Sequence, residues 1–280
     1  MPVIDIHVHI NPWRMMKPAA LETFRMGKDF DRLQACMDDP TAFLRYLDSQ
    51  EVERAGLINY VSELMGFTPE TNEFVSNYCR ADPQRLIAFG SVHPVTCPDV
   101  EKEMRRLLEQ LRIRAIKIHP VHQEFSPNAY RDGLKGLATI YRICEQEGVP
   151  VMIHTGTSIF PGARNIYADP LPCDDVAVDF PNLKLILAHG GRPIWMQTAF
   201  FLLRRHRNVW LDISGIPPQS LLEYFPRFKV IASKAMFGTD WPSPGVPDIS
   251  ENIRRLRALS FTSEIERKIL FENAASLFVE

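Results

Sequence analysis

The chain has 280 residues, of which 45% are hydrophobic and 24% charged, and its formal net charge is −2. This balance gives no indication of a nucleic-acid or membrane partner, and no apolar run approaches the ~18 residues that a transmembrane helix needs. The start, MPVIDIHVHI, lacks the basic and apolar regions of a signal peptide. The five cysteines are widely spaced and form no CxxC pair, which favours reduced thiols over a metal site. We therefore expect a cytoplasmic globular protein.

Eight short apolar runs, most of them β-branched, predict strands. They cover residues 3–10, 55–61, 86–92, 114–120, 149–156, 183–191, 209–215 and 234–242, and most end at Gly, Pro, Ser or Asn. Helical periodicity fills the intervals at 41–53, 70–80, 98–112, 134–147, 193–206, 250–259 and 262–278. Eight repeats of strand and helix predict one (β/α)8 TIM-barrel domain over residues 1–280.

Two alternatives accompany this prediction. The length would also allow two small domains, and the same elements could form an open doubly wound sheet. Such a sheet usually carries a Gly-rich loop after its first strand, where this chain has HINPW. The connection 11–40 is long, and we interpret it either as a functional lid or as a helix without a clear pattern.

Polar residues near the carboxyl ends of the predicted strands are the main functional signal. Because side chains alternate along a strand, Asp5, His7 and His9 in IDIHVHI face away from the apolar positions and into the barrel. The same parity directs five further residues inward: Lys117, His119, His154, His189 and Asp240. That end of a TIM barrel carries the active site. Imidazoles and a carboxylate gathered there suit a divalent metal such as Zn²⁺, Mn²⁺ or Fe²⁺.

The segments IDIHVH, IKIHP, MIHTGT, ILAHGGRP and FGTDWP, in this order, resemble the amidohydrolase superfamily. They are most similar to the amidohydrolase-related branch that includes aminocarboxymuconate semialdehyde decarboxylase and resorcylate decarboxylase. The resemblance covers nearly the whole chain. It implies one divalent metal, for which we expect Zn²⁺, held by His7, His9, His154 and Asp240. It also implies a catalytic role for His189 beside the metal.

The expected reaction is hydrolysis of a small amide, ester or lactone by a metal-activated water, with Asp240 as base and proton shuttle. His189 would polarise the carbonyl or stabilise the oxyanion. The alternative is non-oxidative decarboxylation of a small unsaturated or aromatic acid, although decarboxylases of this family tend to be longer. A second alternative is a metal-binding barrel without catalysis, because a fold does not fix a function.

Several other residues have open roles. In some branches of the superfamily that the chain resembles, a lysine on strand four is carboxylated and bridges two metals, and Lys117 has the matching strand and parity. Without that modification, Lys117 could pair with Asp5 or a substrate carboxylate; we favour one metal. His119 and Arg192 are candidates for substrate contact. Asp212 faces inward on the seventh strand and is expected to contact the metal ligands rather than the metal itself. His122, His206 and the basic residues 254, 255, 257, 267 and 268 are expected to be solvated. The oligomeric state is open, and a homo-oligomer is compatible with the sequence.

Overall fold

Eight parallel strands form a barrel in the computed structural model, which describes residues 1–25 and 29–279. The strands are β1 Ile4–Val8, β2 Arg54–Ile58, β3 Leu86–Gly90, β4 Ala115–Ile118, β5 Val151–His154, β6 Leu185–Ala188, β7 Val209–Asp212 and β8 Ala235–Met236. Each strand pairs in parallel with the next one along the chain. The prediction of a TIM barrel is thus confirmed, with all eight strands inside the predicted runs or within one residue of them.

The segment after β8 closes the barrel against β1. The amide of Ile6 donates to the carbonyl of Phe237 (3.1 Å), the amide of Asp240 to that of His7 (2.8 Å), and the amide of His9 to that of Trp241 (2.7 Å). Although β8 itself is short, these bonds continue its pairing through the GTDW motif. They fix Asp240 beside the HVH pair, which lies 231 residues away in sequence.

Helices alternate with the strands along the chain. They are α1 Pro18–Arg25, α2 Phe30–Asp38, α3 Pro40–Ser49, α4 Thr71–Cys79, α5 Val100–Arg105, α6 Pro120–Gln123, α7 Lys135–Glu147, α8 Cys173–Asp179, α9 Met196–Arg205, α10 Leu221–Tyr224, α11 Ile249–Arg257, α12 Ser263–Arg267 and α13 Asn273–Phe278. One π-helical turn, Arg106–Gln110, extends α5, and another, Lys268–Glu272, joins α12 to α13. The predicted helices are confirmed with boundary shifts of a few residues.

The long connection 11–40 contains helices rather than open loop. Helices α1 and α2 lie within it, while residues 26–28 are outside the described part of the chain. Met16 and Phe24 of this segment line the cavity at the mouth of the barrel. The prediction of a helix in this connection is therefore confirmed, whereas a role as a lid stays a prediction.

Alternation in the strands directs apolar side chains toward the helices, while the inner side holds polar residues together with apolar ones such as Met152. Ile4, Ile6 and Val8 are fully buried. On the inner side, Lys117 of β4 pairs in register with Met152 of β5, and its ammonium contacts the Met152 sulfur at 3.6 Å. Among the described residues, no helix is both long enough and apolar enough to cross a membrane.

Candidate metal centre and active site

All eight of the predicted site residues line one cavity of about 310 Å³ at the carboxyl ends of the strands. They are His7, His9, Lys117, His119, His154, His189, Arg192 and Asp240. Helix α1 supplies part of one wall and the segments after β5, β7 and β8 supply others. The barrel therefore brings together groups that span more than 230 residues of sequence.

The HVH pair and Asp240 form the tightest cluster. One Asp240 oxygen, Oδ1, lies 3.0 Å from His9 Nε2 and 3.4 Å from His7 Nε2. One donor atom from each of the three side chains lies within 4.8 Å of the others. Asp240 has φ of +69°, a left-handed conformation that Asp tolerates better than most residues. That turn in the backbone directs the carboxylate back over the barrel.

Asp212 and Ser214 fix the protonation pattern of His7. The Nδ1 of His7 lies 2.5 Å from Asp212 Oδ2, so Nδ1 carries the proton and donates it to the carboxylate. Ser214 holds that carboxylate through its amide (2.8 Å) and its hydroxyl (2.7 Å). The other nitrogen, His7 Nε2, is buried and has no hydrogen-bond partner among the described residues. A lone pair at Nε2 therefore faces the cavity, which is how a carboxylate orients a metal-binding histidine.

Ser214 also orients His189. The carbonyl oxygen of Ser214 accepts a hydrogen bond from His189 Nδ1 at 2.9 Å, and the Ser214 hydroxyl lies 3.0 Å from the same nitrogen. Burial lowers the pKa of His189 well below its usual range, so the ring is neutral with its lone pair on Nε2. His189 has φ of +64°, another left-handed residue. A strained backbone at two residues of one site is a common property of functional sites.

Charges in the cavity are unevenly distributed. Burial raises the pKa of Asp240, but the surrounding imidazoles of His189, His9 and His7 outweigh it and hold that pKa well below the usual range. Burial lowers the pKa of Lys117 to about 8, against the opposing charges of Asp212 and Asp240. The site thus holds an ionised carboxylate close to a buried ammonium.

Arg192 supplies a second cation. Its Nη2 lies 3.8 Å from Asp240 Oδ2, and its Nε is buried without a hydrogen-bond partner among the described residues. Gly215, with φ of +63°, makes room for the guanidinium, because a Cβ there would lie 2.6 Å from Nε and Nη2. Arg255 of α11 also lines the cavity and is held by Glu251 at 2.7 Å. The side chain is 37% exposed, which is compatible with the predicted solvated face.

The donor set fits one divalent metal. Two imidazole nitrogens and a carboxylate oxygen are the ligands that Zn²⁺ and other first-row metals accept. The unpartnered His7 Nε2 is the observation that supports such a site, since a buried ring nitrogen without a partner is costly. At His9, binding a cation would move the proton that Nε2 now donates to Asp240, and metal binding ordinarily displaces such protons. A second cluster, His7, His189 and Asp212, is already joined through Ser214, and we interpret it as the support of the first.

His154 lies in the cavity but outside that cluster. Its Nε2 donates to the carbonyl of Gly156 at 3.0 Å, which leaves Nδ1 as its acceptor. The ring packs on His119, with centroids 3.9 Å apart. A ligand role for His154 therefore stays a prediction and would use Nδ1 or require the ring to turn.

Other residues depart from the predictions. His122 is buried and lines the cavity instead of being solvated, and His206 pairs with Asp174 at 2.6 Å. Asp5 accepts hydrogen bonds from the amide and hydroxyl of Thr239 (3.0 and 2.6 Å) and from the amide of His7 (3.1 Å), which gives it a structural role. Tyr60 lines the cavity and Ser214 holds Asp212 and His189, and neither residue was predicted from the sequence. The spacing of His122 three residues after His119, across the first turn of a helix, could have revealed His122.

Comparisons with known proteins place the chain in a family. A family model described as amidohydrolase matches residues 4–279. A dihydroorotase from Acinetobacter baumannii (strain SDF) is 28% identical over 226 residues, which are 78% of this chain and 56% of that protein. The chain thus spans about half the length of that curated relative.

Solved structures share the fold. An uncharacterised TIM-barrel protein from Bordetella bronchiseptica superposes with a TM-score of 0.76 at 20% identity, covering 99% of this chain and 98% of the other. A probable 2-pyrone-4,6-dicarboxylic acid hydrolase from Acinetobacter baumannii with citric acid bound gives 0.68 at 18%, with 99% of both chains covered. A dihydroxybenzoic acid decarboxylase from Polaromonas sp. JS666, with bound manganese and an inhibitor, gives 0.68 at 16%, covering 99% and 96%.

The predicted resemblance is therefore confirmed: a match over almost the whole chain, together with the barrel and its HVH and GTDW segments, shows that the protein belongs to the amidohydrolase family.

Proposed function

We propose that the protein is a metal-dependent hydrolase that cleaves a small amide, ester or lactone bearing a carboxylate. The observation that carries this proposal is the position of Asp240. Its Oδ1 lies 3.0 Å from His9 Nε2 and 3.4 Å from His7 Nε2, and its Oδ2 lies 3.8 Å from Arg192 Nη2. The carboxylate can therefore contact both the attacking water and the substrate side of the cavity.

The metal would be held by His7, His9 and Asp240, with His154 as the further predicted ligand. We propose Zn²⁺, although the same ligand types accept Mn²⁺ and Fe²⁺. A bound divalent ion supplies one piece of chemistry, since it lowers the pKa of a coordinated water toward ~7. We propose a single ion, because both donor clusters share His7. In addition, Lys117, which would have to be carboxylated to bridge a second metal, contacts the sulfur of Met152.

Asp240 accepts the proton of the attacking water and passes it to His189. In its neutral form His189 presents only a lone pair to the cavity, because its Nδ1 proton is engaged with Ser214. It becomes a hydrogen-bond donor once Nε2 is protonated. The imidazolium then donates to the oxyanion that develops on the carbonyl. The predicted polarising role of His189 thus follows proton uptake rather than preceding it.

Lys117 and Arg192 would bind a carboxylate of the substrate. Arg192 Nη2 lies 3.8 Å from Asp240, the charge of Asp240 acts on Lys117, and the Arg192 Nε has an unused N–H. An anionic group in this place would satisfy that donor and offset the buried ammonium. An acidic substrate is supported by the names of two similar proteins, the probable 2-pyrone-4,6-dicarboxylic acid hydrolase and the dihydroorotase.

Decarboxylation is the second candidate. The buried ammonium of Lys117 favours it, because a departing carboxylate could be held against that cation while the metal orients the rest of the substrate. The fold shared with dihydroxybenzoic acid decarboxylase is compatible with it. A barrel that only stores or binds metal is the third. The cytoplasmic location, the lack of nucleic-acid and membrane partners, and the oligomeric state stay predictions of the sequence.

The test uses purified protein loaded with Zn²⁺, Mn²⁺ or Fe²⁺ and a panel of carboxylate-bearing lactones, esters, amides and unsaturated or aromatic acids. Acid release without CO₂ supports hydrolysis, and CO₂ release supports the decarboxylase. If no compound of the panel reacts, the result supports a protein that only binds metal. Asp240→Asn should keep part of the metal and lose at least ~10²-fold in kcat. Full activity in that variant would refute the assignment. Asp174→Asn, which alters an Asp–His pair outside the cavity, is the matched control.

A further inference from the structure

Four aromatic rings are stacked along one wall of the cavity. The ring of His119 lies between His122 and His154, with centroid distances of 3.7 and 3.9 Å and interplanar angles of 15°. Tyr60 stacks on His119 at 4.8 Å. All four residues are buried and line the cavity. The proposed hydrolysis uses neither Tyr60 nor His122.

His122 joins two hydroxyl groups. Its Nδ1 lies 3.0 Å from the Tyr60 hydroxyl, and its Nε2 lies 2.8 Å from the Ser158 hydroxyl. A neutral imidazole has one donor and one acceptor nitrogen, so one hydroxyl must donate to the ring and the other must accept from it. Tyr60 is 4% exposed, whereas Ser158 is only partly buried, on the segment after β5. The three residues therefore form a continuous chain from the edge of the cavity to its buried interior.

We propose that Ser158, His122 and Tyr60 form a proton relay that delivers a proton from solvent to the leaving group of the bound substrate. This inference rests on the proposed hydrolysis, whose ring or chain cleavage leaves an oxygen or nitrogen that must gain a proton. Tyr60 is well placed for this role because its ring lies beside His9, with centroids 6.4 Å apart. Tyr60 lines the same cavity as the ligand cluster.

The proton balance of the relay is simple. The Tyr60 hydroxyl gives its proton to the leaving group, and the Tyr60 oxygen receives one from His122 Nδ1. At the same time His122 Nε2 takes the Ser158 hydroxyl proton, and Ser158 regains one from solvent. Solvent in turn receives the proton that the attacking water gave to Asp240 and that His189 releases at the end of the cycle. Each group ends neutral, the ring having exchanged one tautomer for the other. The transfer can be concerted, without a charged intermediate, because each group in the chain gives up one proton as it receives another.

The hydrogen bonds could instead only anchor the segment that follows β5. The Ser158 hydroxyl lies within 3.4 Å of the Phe160 amide, and Phe160 packs edge-on against His122 with centroids 5.6 Å apart. If these residues only anchor the segment, their loss should affect all substrates to the same degree. A relay matters only when the leaving group needs a proton, and this difference separates the two roles.

The kinetic test compares two esters of one acid accepted by the Zn²⁺-loaded enzyme, with 4-nitrophenol and with an aliphatic alcohol as leaving groups. Tyr60→Phe should lower kcat about 100-fold for the alkyl ester, within the range for loss of a general acid, and less than about 3-fold for the nitrophenyl ester. Ser158→Ala should show the same selectivity to a smaller degree. Equal losses on both esters, or no loss, would overturn the relay. Tyr141→Phe, which removes a buried hydroxyl outside the cavity, should leave both rates unchanged.

A second measurement needs no substrate. Nitrogen NMR of the His122 ring in the Zn²⁺-loaded protein should show both nitrogens averaged between protonated and bare positions, because the two tautomers exchange. Ser158→Ala should shift the ring toward one tautomer. A wild-type ring fixed in one tautomer would contradict the relay even if hydrolysis is found. Conversely, averaged nitrogens in a protein without hydrolytic activity would refute the proposed function, and with it the leaving group that the relay serves.

Discussion

Replacing Asp212 by Asn tests how the chain prepares His7 for a metal. The carboxylate accepts three hydrogen bonds, from His7 Nδ1 at 2.5 Å and from the hydroxyl and amide of Ser214 at 2.7 and 2.8 Å. An amide cannot serve all of these donors. If its nitrogen faces the Ser214 amide, two donors oppose each other. If it faces His7, it donates to Nδ1 and forces the His7 proton onto Nε2, where the metal should bind.

Either orientation has a similar cost. An unsatisfied buried donor costs about 1–3 kcal/mol, and loss of an orienting partner of a metal ligand typically weakens binding about 10- to 100-fold. We therefore expect the Kd for Zn²⁺ to rise by one to two orders of magnitude. Burial raises the pKa of Asp212, but its contacts with His7 outweigh burial and keep that pKa below the usual range, so the wild-type group is charged at neutral pH.

The assay is competition of metal-free protein with a chromophoric chelator, together with an unfolding transition to show that the variant is folded. Asp174→Asn removes the matched partner of His206 outside the cavity and should leave the Kd unchanged. A folded Asp212→Asn protein with wild-type affinity would refute the claim that Asp212 sets the protonation of His7.

Three further outcomes are expected. Lys117→Met should stabilise the protein at pH 7 by about 3 kcal/mol, because burial lowers the pKa of Lys117 from 10.5 to about 8 and each pKa unit corresponds to ~1.4 kcal/mol. Between pH 8 and 10.5 only the unfolded wild-type chain keeps this proton, so wild-type stability should rise with pH across that window. The variant should lack this part of the rise; urea unfolding at pH 7 and 10 checks it, and identical slopes would contradict it. Gly238→Ala should weaken Zn²⁺ binding and lower the unfolding midpoint, since a Cβ there would meet an Asp212 carboxylate oxygen and lie 2.9 Å from His7 Cβ; unchanged values in both measurements would count against the tight fit. His189→Asn should keep the metal, measured by elemental analysis, while kcat falls ~10²- to 10³-fold, as for loss of an oxyanion donor; a variant with wild-type kcat would remove His189 from the mechanism.

The barrel and the HVH–Asp240 cluster were predictable because they depend on period and parity. Alternation within IDIHVHI identifies the inward face without any knowledge of neighbouring strands. The repeated order of strand and helix then places the carboxyl ends of the strands together. The measured 3.0 Å between His9 and Asp240 follows from the pairing of the GTDW segment with β1, which the sequence did not reveal in detail.

The remaining parts of the site depend on short irregular segments. His122 enters the cavity because Pro120–Gln123 is one helical turn directly after β4, whereas the predicted position was a solvated loop. Ser214 acts through a carbonyl and a hydroxyl, and neither has a recognisable pattern in sequence. The His154 ring is directed by a hydrogen bond to Gly156. Contacts of this kind arise from backbone turns, for which periodicity gives no information.

The central claim is that two imidazoles from β1 and a carboxylate from the segment after β8 bind one divalent cation. Anomalous diffraction at the zinc edge, on crystals of the full chain loaded with Zn²⁺, tests it most directly. We expect one peak about 2.0–2.2 Å from His7 Nε2, His9 Nε2 and an Asp240 oxygen. A saturated crystal without a peak there, or with zinc bound only to other residues, would contradict the account.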